Sequence, residues 1–137
     1  MRLNAVMDEA AAAAKQITGL REVFPYPPGS LTGPSGYVSY PQSVDFDEAY
    51  QRGEDRITDL PIVLVVGKAT DRAARDTVAA WASGDGPQSV KAAMEAWSWT
   101  SCDDLTVTSC EFDVEMIAGV PYLAAIFKAT AVGAGEG

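Results

Sequence analysis

Residues 56–82 have the sequence RITDLPIVLVVGKATDRAARDTVAAWA, and this stretch decides the fold. Residues 61–66 are apolar at consecutive positions and rich in β-branched side chains, which predicts a strand that is buried on both faces. Apolar residues then recur at the helical positions Ala74, Val78 and Trp81. We therefore expect a central strand that is followed by a helix lying back on the sheet.

The sequence on either side of this stretch predicts further helices and strands. Residues 25–36 are rich in proline and glycine and predict an ordered surface loop. Residues 43–55 are polar and predict either a loop or one arm of a long hairpin. The additional helices are expected at residues 3–17 and 89–96, and the short strands at residues 20–24 and 37–40.

Residues 105–132 predict a long antiparallel hairpin. Its turn is expected at residues 117–120, where Gly119 can adopt a positive φ. Apolar and polar residues alternate along the first strand, so one face is apolar and the other carries a row of carboxylates. These carboxylates belong to Glu111, Asp113 and Glu115.

Together these patterns predict an α+β fold, with a mainly antiparallel sheet of about five strands and helices packed on one face. Residues 1–132 are expected to form one domain, because the chain of 137 residues is long enough for a single core. Residues 133–137 are small and are expected to form a flexible tail.

The composition argues against several classes of function. The net charge of −9 repels nucleic-acid phosphates, which disfavours tight binding to DNA or RNA. The chain has no histidine, the commonest general base and transition-metal ligand. Cys102 and Cys110 are too few for a zinc knuckle, and we expect reduced thiols. No apolar run is long enough to span a membrane, and Asp8 and Glu9 stand where a signal peptide would be apolar.

Carboxylates are the main candidates for chemistry. Glu111, Asp113 and Glu115 share a strand face, so two of them could act as the acid and the base of a hydrolase, or bind a divalent metal. The alternative is a solvated strand face whose charges prevent edge-to-edge pairing, and this alternative is favoured. Cys102, Cys110 and the serines have no histidine to activate them, so we expect no catalytic nucleophile and no cofactor.

Aromatic and charged residues suggest contact surfaces. Trp97 and Trp99 are two positions apart and share a face if the segment is extended, so they belong either to the core or to a subunit contact. Tyr26, in the proline-rich loop, has the same two interpretations. Residues 50–56 alternate in charge and form either a self-paired hairpin tip or an arm that contacts a neighbouring subunit. The residues of interest in that loop are Tyr50, Arg52 and Arg56.

Taken in order, segments along nearly the whole chain resemble tail terminator proteins of long-tailed phages that infect actinobacteria. No single segment is a diagnostic chemical motif, so the weight of the resemblance lies in the series. The segments are residues 3–8 (LNAVMD), 26–30 (YPPGS), 44–47 (VDFD), 50–56 (YQRGEDR), 60–65 (LPIVLV), 89–95 (SVKAAME), 112–114 (FDV) and 117–124 (IAGVPYLA).

This resemblance implies a structural protein of the virion, made in the host cytoplasm, with an α+β fold and no catalytic centre. Such proteins form a hexameric ring at the head-proximal end of the tail tube, end tube polymerisation and join the tail to the head connector. The expected partners are further copies of the chain, the major tail tube protein and a head-side stopper or connector protein. Genomic DNA would pass through the ring without specific binding.

An acidic channel lining would repel the passing phosphates. The candidates for that lining are Asp45, Asp47, Glu54, Asp55, Glu111, Asp113 and Glu115. The alternatives that stay open are another neck protein, such as a stopper or adaptor, a small hydrolase that uses paired carboxylates, and a monomeric binding module that uses the loop around Tyr26.

Overall fold

The computed structural model describes residues 1–17, 20–28, 34–46, 54–68, 72–84, 86, 88–117 and 119–134. These residues form a six-stranded, mostly antiparallel sheet with three helices, which confirms the α+β class. In chain order the elements are α1 (Leu3–Ala14), β1 (Glu22–Phe24), β2 (Ser35–Val38), β3 (Ser43–Asp45), β4 (Glu54–Lys68), α2 (Arg72–Trp81), α3 (Val90–Ala96), β5 (Asp104–Ile117) and β6 (Val120–Ala134).

The strand order across the sheet is β1-β2-β4-β6-β5, and β3 pairs with β4 on the same side as β2. Only the short β1–β2 pair is parallel among these strands. β4 and β6 are therefore interior strands, and β5 lies at one edge. Residues 43–45 form one arm of a hairpin with β4, as one of the two interpretations of this segment predicted, while residues 47–53 lie outside the described part.

β4 is buried on both faces, as its uninterrupted apolar sequence predicted. Ile62 and Leu64 are fully buried in the main core, whereas Val63 and Val65 are buried in a second, smaller cluster on the opposite face. Removing both faces from water stabilises the strand, since each large aliphatic side chain contributes roughly 1.5–3 kcal/mol when it is fully buried. This explains why β4 anchors the sheet.

All three helices pack on one face of the sheet, as predicted. Val6 of α1, Val78 of α2 and Met94 of α3 all belong to the main core with Leu64 of β4. The second cluster, on the other face, contains only strand residues among those described. We call that surface the helix-free face and define it by Val63, Val65, Ala124 and the strand residues that share their side of the sheet.

The β5–β6 hairpin forms as predicted, with Gly119 at φ 79° in its turn. A bulge between Val107 and Ser109 shifts the register, so Thr108 is exposed and does not continue the apolar face that simple alternation assigns to it. β6 runs to Ala134, and Gly133 packs against Met1 and Cys102. The sheet therefore includes Gly133, a residue for which the sequence predicts a flexible tail.

Candidate functional site

The second half of β5 carries an apolar surface that nothing covers within the described part of the chain. Phe112 pairs with Ala125 and Val114 with Leu123, which places both on the helix-bearing side of the sheet. The exposed fractions of Phe112, Val114 and Met116 are 55%, 49% and 65%. These three residues are called the β5 strip below. The sequence predicted that they share a face, and the structure shows that the helices leave this face open.

The helices cover β5 only as far as its bulge. Glu95 of α3 accepts a hydrogen bond from the backbone N–H of Val107 at 3.0 Å, and Lys91 donates to the carbonyl of Val107 at 3.2 Å. These two side chains therefore hydrogen-bond the backbone N–H and carbonyl of Val107, at an edge where no described strand pairs with β5. Further along, the N–H of Val114 donates to the carboxylate of Asp113 on its own strand at 2.8 Å. The outer edge of β5 is therefore covered by α3 at one end and locally capped at the other.

Two of the predicted carboxylates lie side by side on the helix-free face. Glu111 pairs with Ile126 and Asp113 with Ala124, both of which belong to that face. Glu111 also forms an ion pair with Lys128 at 3.3 Å. Acidic side chains outnumber basic ones among the described strand residues of this face. They include Glu22, Asp45, Asp104, Glu111 and Asp113, against Arg56 and Lys128.

The structure separates the other acidic candidates. Asp45 is half-buried and accepts hydrogen bonds from the hydroxyls of Ser43 and Thr58, both at 3.3 Å. Asp55 is 6% exposed and shares the side of Ile57, so it faces the core side of the sheet. Asp47 and the side chains of Glu54 and Glu115 lie outside the described residues.

The tryptophans predicted to lie in the core or at a subunit contact are half-buried and bonded within their own chain. The indole Nε1 of Trp97 donates to the carboxylate of Glu9 at 3.0 Å, and that of Trp99 donates to the carbonyl of Met94 at 2.8 Å. Both side chains pack against the main core. These contacts are compatible with the core interpretation, and a subunit contact through the exposed part of either side chain stays a prediction.

Among the other contact candidates, Tyr26 is 55% exposed and its ring tilts against Phe24 with centroids 6.2 Å apart. Arg56 is exposed on the helix-free face, where its backbone pairs with Asp45 and Val132. Tyr50 and Arg52 lie outside the described residues. Two aromatic residues that sequence reasoning did not select, Tyr40 and Phe46, are more exposed than Tyr26, at 65% and 73%.

Tyr26, Tyr40 and Phe46 lie at the edge of the sheet opposite β5. Tyr26 follows β1, the outermost strand there, and Tyr40 connects β2 to β3. Phe46 directly follows β3, which pairs with the side of β4 that faces away from β6. These three residues are called the far-edge aromatics. These residues are distinguished by their exposure, which a sequence alone does not report.

Glu9 joins α1 to the segment that leads into β5. Its carboxylate accepts hydrogen bonds from Trp97, from the N–H of Thr100 at 3.0 Å and from the N–H of Ser101 at 2.7 Å. Partial burial acts to raise the pKa of Glu9, but the hydrogen bonds from Ser101, Trp97 and Thr100 outweigh it and lower the pKa to about 2. Nothing in the sequence marks Glu9 for this role, since its partners lie about ninety residues away.

The cysteines are both free thiols. Burial raises the pKa of Cys102 to about 11, with the charges of Glu9 and Asp104 adding to the effect. Burial likewise raises the pKa of Cys110 to about 11, together with the charge of Glu111. Both thiols are therefore protonated at neutral pH, whereas the thiolate is the nucleophilic form.

Within the described ranges, no group of three or more histidine, cysteine, aspartate or glutamate side chains is placed to hold a metal ion. No helix in that part of the chain has the length and apolar character that crossing a membrane requires.

A scan against models of known protein families gives no match for this chain. A search of curated proteins gives no significant relative.

Proposed function

We propose that this protein is a structural subunit that forms a ring, expected to be a hexamer, at the head-proximal end of a phage tail tube. In this role it ends tube polymerisation and joins the tail to the head connector. The proposal needs no cofactor and no substrate turnover. It starts from the resemblance of segments along the chain to tail terminator proteins, and the α+β fold is compatible with it.

The observation that carries the proposal is the β5 strip. A soluble subunit that worked alone would gain nothing from three large apolar side chains exposed beside one another on an edge strand, since such an edge invites aggregation. A subunit that is completed by neighbours needs such a surface. Phe112, Val114 and Met116 therefore support a protein built for assembly.

The acidic side chains of the helix-free face support a second part of the proposal. DNA that slides through a ring must not adhere to it, and carboxylates repel phosphate at the distances that a channel provides. We propose that the helix-free face turns toward the channel, with Asp45, Glu111 and Asp113 contributing to its lining. Asp55 is left out, because its side chain is buried.

Ending polymerisation requires the two sides of the ring to differ. One side would pair with the last ring of the tube, and the other would present a surface that a further tube subunit cannot bind. A stopper or adaptor protein of the neck also needs two sides that differ, but it does not have to prevent a further tube subunit from binding. That difference separates the proposed role from its closest alternative.

Two measurements test the proposal. Imaging of the phage particles that encode this chain should locate it between the tube and the head, at the tube end. Deleting its gene should give tails of excessive length, or tails that do not join heads. Normal, joined tails without the protein would contradict the proposal, and a position on the head side of the neck with tails of normal length would favour the stopper alternative.

A further inference from the structure

The exposed large apolar side chains of the described residues form two groups at opposite edges of the sheet. One group is the β5 strip, and the other is the far-edge aromatics. Scattered exposed apolar residues are ordinary, but two groups confined to the two edges of one sheet need an explanation. Because both groups belong to one chain, the β5 strip of one copy can cover the far-edge aromatics of a second copy.

The topology places the two groups at opposite edges of the sheet. β5 pairs with β6 alone among the described strands, so its other side is a free edge. Across the sheet, Ser39 donates its N–H to the carbonyl of Pro61, and Gln42 donates to the carbonyl of Thr58. The segment from β2 to β3 thus follows the side of β4 that faces away from β6. Tyr40 lies within that segment, with β4 and β6 between it and β5.

We propose that the β5 edge of one subunit binds the far edge of a second copy, so that the β5 strip packs on Tyr40, Phe46 and Tyr26 of its neighbour. The inference rests on the proposed ring and deepens it by naming the two surfaces that meet. Such a contact is heterologous, because each subunit uses a different surface on each side, and heterologous contacts close into rings when the rotation allows.

The β5 strip is long enough to contact several side chains of a neighbour, since residues 112–116 span roughly 13 Å at the usual rise of about 3.3 Å per strand residue. The outer edge of β5 also has backbone groups to offer. The N–H of Val114 points outward but is already bonded to Asp113, whereas the period of two places the backbone groups of Phe112 and Met116 in the same outward orientation. A neighbouring strand can therefore add main-chain hydrogen bonds to the apolar contact.

Charge disfavours the symmetrical alternative, in which two β5 edges pair with each other. That arrangement would bring Glu111 and Asp113 of both copies together on adjoining strands, and like charges that face each other across strands are destabilising. The far edge has mixed charge, since Arg21 precedes Glu22 at the start of β1. A second copy presented by its far edge offers Arg21 beside the carboxylates of Glu22 and Asp45, so the repulsion is smaller than between two β5 edges.

Complementation between two variants tests the proposal. The first variant carries Val114→Lys and Met116→Lys on the β5 edge, and the second carries Tyr40→Lys and Phe46→Lys on the far edge. All four positions are exposed, so the changes remove apolar contact without opening the core. They also reduce the net negative charge, so a loss of assembly cannot result from stronger repulsion between subunits. The control carries Ala12→Lys and Ala79→Lys, at exposed positions of α1 and α2.

Sedimentation velocity and native mass spectrometry would follow assembly up to roughly 1 mM, where even weak contacts populate. The wild type and the control should form closed oligomers. Each edge variant alone should stay monomeric with a native circular dichroism spectrum. An equal mixture of the two should form a dimer and nothing larger, because one intact edge remains on each partner.

Three results would overturn the proposal: a wild type that stays monomeric throughout this range, an edge variant that assembles as the wild type does, or a mixture that gives no dimer. If either lysine variant fails to fold, Phe112→Thr with Met116→Thr, or Tyr40→Thr with Phe46→Thr, replaces it, since threonine suits a strand. A mixture that forms the dimer, from a protein absent at the tube end, would uphold the contact and reject the proposed function. If each edge variant still formed rings at the tube end, the proposed function would be upheld and the contact rejected.

Discussion

The indole Nε1 of Trp97 donates a hydrogen bond to the carboxylate of Glu9 at 3.0 Å and so joins α1 to the segment that follows α3. The same carboxylate accepts the N–H groups of Thr100 and Ser101. A single side chain therefore holds the first helix against the entrance to β5. Because β5 carries the proposed assembly edge, Glu9 also helps to orient that edge relative to the helices.

Replacing this carboxylate should lower stability. In Glu9→Gln, the amide keeps the size of the side chain but removes the charge and replaces one acceptor oxygen by an NH₂ group, which faces the donors of Trp97, Thr100 and Ser101. Since hydrogen bonds to a charged group contribute about 1.5–3 kcal/mol, we expect the free energy of unfolding to fall by about that amount. Urea unfolding at pH 7 measures it. Asp8→Asn is the control, because Asp8 is exposed on the same helix; equal losses in both variants would contradict the assignment.

The same carboxylate should make stability depend on pH in acid. The folded-state pKa of Glu9, about 2, lies below its ordinary value of 4.5, because the hydrogen bonds that it accepts outweigh the effect of burial. Its contribution is thus complete above about pH 4.5 and is lost as the pH falls toward 2. Unfolding free energies measured across that window should converge for the wild type and Glu9→Gln. A difference that stays constant down to pH 2 would show that the charge is not responsible.

Gly36 is a position where size alone matters. A Cβ built there would lie 2.5 Å from Cδ2 of Leu64 and 2.6 Å from the carbonyl oxygen of Val63, and the backbone oxygen cannot move aside without disturbing the pairing of β2 with β4. We expect Gly36→Ala to cost about 1–3 kcal/mol or more, through overpacking. Gly84→Ala is the matched control, because no atom of the described residues lies within 4 Å of a Cβ built there. Thermal unfolding of the two variants should differ accordingly, and similar midpoints would refute the argument.

Ser89 caps α3 and ties it to the preceding turn. Its hydroxyl accepts the N–H of Ala92 at 3.1 Å and donates to the carbonyl of Ser83 at 2.6 Å, and the residue is 1% exposed. Ser89→Ala should therefore cost about 1–2 kcal/mol, as N-cap removal generally does. Chemical denaturation would measure the loss, with the exposed Ser98→Ala as a control that should change little. A loss below a few tenths of a kcal/mol would mean that the cap is dispensable.

Local patterns were sufficient to predict much of this fold. The apolar run of β4 and the helical spacing of Ala74, Val78 and Trp81 each describe a short stretch whose burial depends mainly on its own residues. The turn at Gly119 is equally local. These features followed from the sequence because few competing arrangements satisfy the same pattern.

The candidate site was less accessible from sequence, since it depends on what lies over each face. Alternation placed Phe112, Val114 and Met116 together but could not reveal that α3 stops short of them. Nor could it reveal the bulge beside Thr108. The bond between Glu9 and Trp97 joins residues that only the finished fold brings together. Local patterns describe a face, whereas its cover is decided by distant elements.

β6 comes after β4 and β5 in the chain, yet it lies between them and pairs with both. Its hairpin with β5 closes through a tight turn, whereas the partnership of Leu60 with Ala129 must bridge a long loop, which is slow. We infer that a chain emerging from the ribosome can already pair β4 with β2 and β3, but leaves the β6 side of this strongly apolar strand unpaired until residues 120–134 arrive. The time spent in that interval, rather than the durability of the finished subunit, should then limit how much of it a cell recovers.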